Sequence, residues 1–449
     1  MRRRIYIGIV LMGMATFSFA QDKTWTLDEC MKYAVENSPK VKKEVYTNDT
    51  YKAEQLSAFG AFLPTMTANV GAQLNYGRSI DPETNTYSNT STFNNAYSLS
   101  STLPLFYGGR LVNQWKLSKV TRLLGKQVLQ QAKDELAINT MQAYIDVVFY
   151  QGTAKLAAEK LEESRRLLYK TQRMQELGLK GKADVAQIEA QVASDDYDLT
   201  HQENLYCTAL LTLKEHMNYD ATLPLALDTT LNMHEYSLQV ESAADIYTYA
   251  ADHNPLARQA VLQLKSSRLE HLIAKGRLFP SIYLSAGIST NYFENLSSGA
   301  ADPAAFKSQF KNNRGEYVSL NVSIPLFDGF SNRATIRRAR NNLRIAVEQQ
   351  SETLRQLQIT IEKAVADRDG YLKEMIQMEK QVDANQLAHR LTVRKFEEGL
   401  MSSLDIQNSA NLLIQSKINL LQKRLLYVVK TRQVDYYKGE ELIKEMEEK

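Results

Sequence analysis

The chain has 449 residues, a formal net charge of +3, 44% hydrophobic residues and two cysteines. That length is enough for two or three ordinary domains, and the composition is that of a folded protein. So small a charge, with no Lys/Arg cluster interleaved with aromatics, argues against a nucleic-acid partner.

At the N-terminus, MRRR is a basic stretch and IYIGIVLMGMATFSFA an apolar run that ends in the small-x-small pattern Ser18-Phe19-Ala20. This predicts a secretory signal peptide over residues 1–20, cut before Gln21. The run is short for a stop-transfer anchor, and no later stretch is apolar for the roughly 18 residues a transmembrane helix needs. Leu27-Asp28-Glu29 puts acidic groups ahead of Cys30, which excludes a lipidation signal there. Cys30 and Cys207 fall on separate predicted helices and read as two unpaired thiols.

The chain repeats itself. LPLFYGGR (103–110) returns as IPLFDGFS (324–331), 221 residues later. Asn37-Ser38-Pro39 matches Asn254-Pro255, and Phe62-Leu63-Pro64 matches Leu278-Phe279-Pro280, at a spacing of 216. From Pro104/Pro325 the spacing of 221 holds through Leu177-Gly178/Glu398-Gly399 to Asp184/Asp405. Two repeats follow, 21–223 and 224–449, the second carrying five extra residues between its counterparts of Pro64 and Pro104.

In each repeat, a helix starting at Thr26-Leu27-Asp28 or its counterpart is broken before a proline, and a second helix runs on to Pro64 or Pro280. Residues 65–76 then alternate, with Met66, Ala68, Val70, Ala72, Leu74 and Tyr76 on one face. Residues 281–292 do the same, and return strands follow at 92–103 and 316–324. The opposite faces carry Ser, Thr, Asn and Gly. Periodicity alone leaves open a soluble sheet or a membrane barrel with a wetted lumen. If the strands do cross a membrane, four cannot close, so several chains must share one barrel.

After each strand pair the pattern turns helical and proline-free, over 108–177 and 329–398. Seventy residues span about 105 Å as one helix. The second stretch has a four-three stripe through Leu343, Val347, Leu354, Leu357, Ile361, Arg368, Met375 and Val382. The first has two adjacent stripes, one through Leu129, Leu136, Ala143, Val147 and Leu161, the other through Ile138, Met141, Ile145 and Val148. Return helices follow at 185–217 and 406–438. In the corners, Pro104 and Pro325 are expected to end the sheet ladder. Phe106 and Phe327 are placed to anchor at a lipid–water boundary, and Gly108-Gly109 and Gly329 to turn the chain into the helix.

The ordered duplication of TLDEC…ENSP, Phe-Leu-Pro, Pro-Leu-Phe-x-Gly and the Gly-Leu turns resembles the TolC-type outer-membrane efflux family over essentially the whole mature chain. The resemblance implies a mixed α+β membrane protein. It implies a homotrimer sharing a 12-stranded barrel in outer-membrane lipid, continued by a periplasmic α-barrel of coiled-coil helices. It implies an exit duct serving an inner-membrane pump through a periplasmic adaptor. The tips would dock the adaptor through Leu177, Gly178, Leu179, Gly399, Leu400, Met401 and Ser402. The plainer reading of the tips is that the glycines cap helices and the leucines pack beneath them. Asp184 and Asp405 match family positions at the narrow end of the tunnel, as an acidic ring, as N-caps of the return helices, or as both. The chain departs from some relatives in having Asn408 where a second Asp stands and Met401 where a charged gating residue stands. Pro64, Pro104, Pro280 and Pro325 mark the joints.

Enzyme motifs are missing from the sequence. His201, His216, His234, His253, His271 and His389 are dispersed, with no HExxH, no phosphate loop, no G-x-S-x-G and no CxxC. Neither a metal nor a cofactor is expected. The reading that competes with a duct is a periplasmic coiled-coil scaffold with a soluble sheet, which would have no reason to keep four strands of matched parity.

Overall fold

In a computed structural model, the structure describes residues 24–80, 85–229, 241–297 and 303–443. The predicted signal peptide and His234 lie outside the described residues. In chain order the elements are β1 (Thr24–Trp25), α1 (Leu27–Asn37), α2 (Pro39–Gly60), β2 (Thr65–Ile80), β3 (Tyr87–Tyr107), α3 (Arg110–Glu176), α4 (Lys182–Met217) and β4 (Ala226–Leu227). The second repeat gives α5 (Ala243–His253), α6 (Pro255–Gly276), β5 (Ser281–Asn295), α7 (Phe306–Asn312), β6 (Gly315–Ser323), α8 (Ser331–Glu397) and α9 (Ser403–Lys438).

The duplication is visible in lengths. α1 and α5 have 11 residues each and α2 and α6 have 22. α3 and α8 have 67 each, and α4 and α9 have 36. Local chemistry sets the breaks. Thr26 and Glu29 form a capping box at the start of α1, with the Thr26 N–H donating to Glu29 Oε2 at 2.9 Å. Ser38 and Asn254 cap the next helices, whose first residues are Pro39 and Pro255, where a missing N–H costs nothing.

The four long strands form one antiparallel sheet in the order β2-β3-β5-β6, and the β3–β5 pairing joins the two repeats. Register brings Val70, Tyr97 and Thr290 into one row, and Ala68, Leu99 and Ile288 into another. This face also holds Leu284 opposite Leu320 and Ile282 opposite Val322. The other face is lined by Thr67, Asn69, Gln73, Ser98, Ser100, Ser285, Ser289 and Asn321, with no charged residue in its paired positions. β2 and β6 are the open edges.

Three of the four strands, β2, β3 and β5, are longer than their alternation suggested. β2 and β3 extend into residues expected to be loop, up to Ile80 and from Tyr87. Pro104 does not end the ladder as expected: β3 continues to Tyr107, with a register shift between Pro104 and Phe106. A bulge absorbs the missing N–H and turns Phe106 onto the apolar face opposite Ile282. In the second repeat β6 stops at Ser323, before Pro325, and Phe327 is left 78% exposed. Pro64 and Pro280 stand immediately before β2 and β5.

At the corner into α3 the backbone passes close to the end of α6. Gly108 and Gly109 have φ of +60° and +73°, where a side chain is strained. A Cβ on Gly108 would also stand 2.2 Å from the carbonyl oxygen of Gly276, at the end of α6. At the second corner both Gly329 and Phe330 have positive φ, so an aromatic residue takes the position that Gly109 holds in the first.

α3 packs against α2, α6 and α4, and both of its stripes are buried: Leu136, Ala143, Val147 and Leu161 on one side, Met141, Ile145 and Val148 on the other. α8 packs against α6 and α9 and buries Leu357, Ile361, Ala364 and Met375, but leaves Val347 and Ile345 exposed. Trp25 meets Tyr33 and Tyr219 edge-on at 5.2 and 5.9 Å, tying β1 to the segment after α4. Among the described residues no helix is long and apolar enough to cross a membrane.

Gly109→Ala, whose site has open space, should cost about 1–2 kcal/mol for the backbone conformation alone. Gly108→Ala should cost about 1–3 kcal/mol more, because α6 must move away. Thermal melting of the detergent-extracted protein checks the order of the two.

Candidate docking tips and gate

Each long hairpin ends in the same turn. The Leu179 N–H donates to Met174 O at 2.8 Å and the Gly178 N–H to Gln175 O at 2.9 Å; Leu400 and Gly399 repeat these bonds to Lys395 and Phe396 at 2.8 and 3.0 Å. This is the Schellman pattern, and it needs the φ of +74° and +78° that Gly178 and Gly399 supply. The caps therefore form as expected, but the leucines do not pack beneath them: Leu179 is 66% and Leu400 is 71% exposed. Leu177 and Leu404 project into solvent as well, and the sequence reading missed Leu404. Met401, by contrast, packs against a buried cluster of Ile188, Phe396 and Ile406.

Asp184 and Asp405 stand at the third position of their helices, not at the N-cap. Gly181 and Ser402 are the caps. Asp405 Oδ2 accepts from the Ser402 hydroxyl at 2.7 Å and from the Ser402 N–H at 2.9 Å, while the Asp405 N–H returns a bond to Ser402 Oγ. Asp184 Oδ2 accepts from the Gly181 N–H at 3.1 Å. The hydroxyl of Ser402, then its N–H, hold the Asp405 carboxyl below the usual carboxylate range, so it is ionised at neutral pH.

Above the tips the two hairpins are locked together by contacts that no local pattern announced. The Lys170 ammonium lies 2.6 Å from Glu397, Ser403 Oγ donates to Gln187 at 2.7 Å, and Lys180 sits 4.0 Å over the Phe396 ring. His389 is buried, with its ring nitrogens 2.9 Å from Glu163 Oε1 and 2.8 Å from Ser409 Oγ. It thereby joins α8 to α3 and α9. Within the first hairpin Asp195 is buried against Lys160 at 2.8 Å and Gln191 at 2.7 Å. A buried carboxylate left without its lysine is costly, which makes this pair a fixed point of the hairpin. Cys30 is buried, Cys207 exposed, and neither forms a disulfide. Among the described residues no three His, Cys, Asp or Glu side chains converge as a metal site.

The hydrogen bond from His389 is the largest cause holding the Glu163 carboxyl below its usual value. A depressed carboxyl stabilises the lock above its unfolded pKa, and that contribution disappears as pH falls through the lower folded value. His389→Ala should return Glu163 toward its ordinary range and weaken the lock by about 1–3 kcal/mol. Hydrogen exchange at the ends of α3 and α8 should show faster opening in the variant at pH 7, and the difference from the wild type should narrow as the pH is taken below the ordinary carboxylate value of about 4.5.

Residues 32–218 and 246–437 both match the family described as outer membrane efflux protein. Protein CyaE of Bordetella pertussis is 26% identical over 234 residues, 52% of this chain and 46% of CyaE, so that match spans about half of either protein. Outer membrane protein TolC of Salmonella enteritidis is 22% identical over 97% of this chain and 85% of its own length. The CmeC outer membrane channel of Campylobacter jejuni superposes with a TM-score of 0.79 over 93% of this chain and 87% of CmeC, at 16% identity, a likeness of fold. With a match in each repeat, covering both hairpins and both strand pairs, this chain belongs to the outer membrane efflux protein family.

Proposed function

We propose that three copies of this chain form the exit duct of a tripartite efflux or type I secretion system, passive in itself, joined by a periplasmic adaptor to an inner-membrane pump. The observation that carries the reading is a set of contacts present once inside the chain whose counterparts are missing. β3 pairs with β5, whereas the counterpart edges, β6 and β2, are open. α3 packs on α6 of the other repeat, and the counterpart would be α8 on α2 of another copy. Gly108 against Gly276 maps by the repeat spacing onto Gly329 and Gly60, around both of which there is open space.

The same mapping assigns chemistry to the seam. Gln259 Nε2 donates to Gln131 Oε1 and to Gln127 O, at 2.5 and 3.1 Å. The mapped positions are Lys43 on α2 and Glu352 and Glu348 on α8, all exposed. An amide pair inside the chain thus becomes a complementary ion pair between chains. Tyr46, Leu56 and Phe59 on α2, and Ile345 and Ile359 on α8, are the exposed apolar groups that such a seam would cover. In this assembly Leu177, Leu179 and Leu400 are the adaptor contacts, presented by Gly178 and Gly399. Met401 and Ser402 act from behind, as packing and cap. Asp184 and Asp405 ring the narrow end.

Native mass in mild detergent should be that of a trimer; a monomer released without detergent would sink the reading. Lys43→Glu should weaken the assembly by about 1 kcal/mol per seam, and Glu348→Lys with Glu352→Lys in the same chain should restore it. Leu179→Asp with Leu400→Asp should leave the trimer intact and abolish cross-linking to the adaptor.

A further inference from the structure

Among the described residues the short helix α7 has no counterpart in the first repeat. By the repeat spacing the first residue of β6, Gly315, corresponds to Asn94, whereas β3 begins seven residues earlier at Tyr87. α7 stands in place of that missing stretch of strand. Its Gln309 and the Asn313 that caps it do the work of a ladder: Gln309 Oε1 accepts from the Phe293 N–H at 2.9 Å, Gln309 Nε2 donates to Phe293 O at 2.9 Å, and Asn313 donates to Asn291 O at 2.8 Å. The Thr290 hydroxyl donates to Phe310 O at 2.7 Å.

These bonds fix α7 on one face of the sheet. Phe306 and Phe310 meet Tyr97 with ring centroids 6.2 and 5.3 Å away, and Phe306 meets Tyr292 at 5.5 Å. Tyr97 and Tyr292 belong to the apolar face, near where that face gives way to Glu294 and Glu316. The helix therefore lies on the apolar face of the sheet, at the end away from the long helices. Both of its phenylalanines remain more than 40% exposed despite their ring contacts. Lys307 and Lys311 stand one residue further round the helix, a turn apart, exposed, and with no ion pair among the described residues. Arg314 beside them is held by Glu316.

We infer that α7 is a lipid-headgroup site: Phe306 and Phe310 enter the acyl boundary, and Lys307 and Lys311 bind the phosphate groups of an outer-leaflet lipid. The chemistry is that of an interfacial helix, apolar on the buried side with cations at headgroup level. A helix that only patched the edge of β5 would need Gln309, Asn313 and the aromatic contacts. It would not need two unpaired lysines turned outward. The inference rests on reading the apolar face as lipid-facing.

The test is native mass spectrometry of the detergent-extracted assembly, titrated with diphosphoryl lipid A and with its dephosphorylated form. At about 1 kcal/mol for each lysine near a charged surface, the wild type should prefer the phosphorylated form about thirtyfold. Lys307→Gln with Lys311→Gln should erase that preference while mass and single-channel conductance stay unchanged. An equal preference in this variant overturns the site, as does complete competition by inorganic phosphate at the lipid's concentration. Resistance of both lysines to amine labelling in the lipid-free assembly would also overturn it, since a neighbouring copy would then cover α7. Failure of the wild type to give a conducting, detergent-dependent assembly would strike the lipid-facing reading itself, whereas a conducting assembly indifferent to lipid phosphate strikes the headgroup site alone.

Discussion

Hydrocarbon offers a peptide group no partner, and most of this architecture follows from that. A membrane sheet must close, and four strands cannot. The chain leaves β2 and β6 open and thereby makes its membrane part incomplete as a monomer. Where the sheet is irregular, the same constraint is met by local means. A bulge carries β3 past Pro104, and Gln309 and Asn313 supply amides where β6 is too short to pair with β5.

Duplication turns this incompleteness into a rule for assembly. One repeat finds its second neighbour inside the chain, so α3 is covered on both flanks. The other repeat has the same flanks, but α8 has α6 on one of them and no counterpart of the α3–α6 contact on the other, so it keeps exposed apolar residues along part of its stripe. The asymmetry is energetic more than structural, since equal helices with equal lengths differ only in what lies beside them. In the proposed assembly, Lys43, Glu348 and Glu352 stand where the internal contact has glutamines, which suits a surface that must stay soluble before it is covered.

Much of the fold was legible because it rests on periodic signals. Two stripes on α3 and one on α8 gave the helices, and prolines at 39, 64, 255 and 280 gave their ends. The strand limits were less legible, since the ends of β2 and β3 pair with each other and need no apolar alternation to do so. α7 carried no sequence signal long enough to read as a helix. At the tips the Gly-Leu turns announced their caps. The lock of His389 with Glu163 did not announce itself, because its partners are 226 residues apart and one histidine among six looks like any other. Leucine exposure at the tips was hidden for a related reason: a Schellman turn commonly folds its hydrophobe inward, and only the tertiary arrangement shows that here it does not.

Asp405 serves a helix cap and, in the proposed assembly, a charged ring, and the two roles can be separated chemically. Ser402→Ala removes the hydroxyl that most strongly lowers the Asp405 carboxyl, yet leaves an ionised group at the same position. Asp405→Asn removes the charge but keeps an oxygen able to accept from the Ser402 N–H. A gate governed by charge loses its cation preference in the second variant and keeps it in the first. A gate governed by the order of the α9 N-terminus loosens in both, because each weakens the cap. Since the Asp405 carboxyl is held below its ordinary value, its charge persists through mildly acid conditions. Any change in cation preference between pH 7 and pH 5 must then come from groups other than Asp405, and other than Glu163, which His389 holds ionised in the same way.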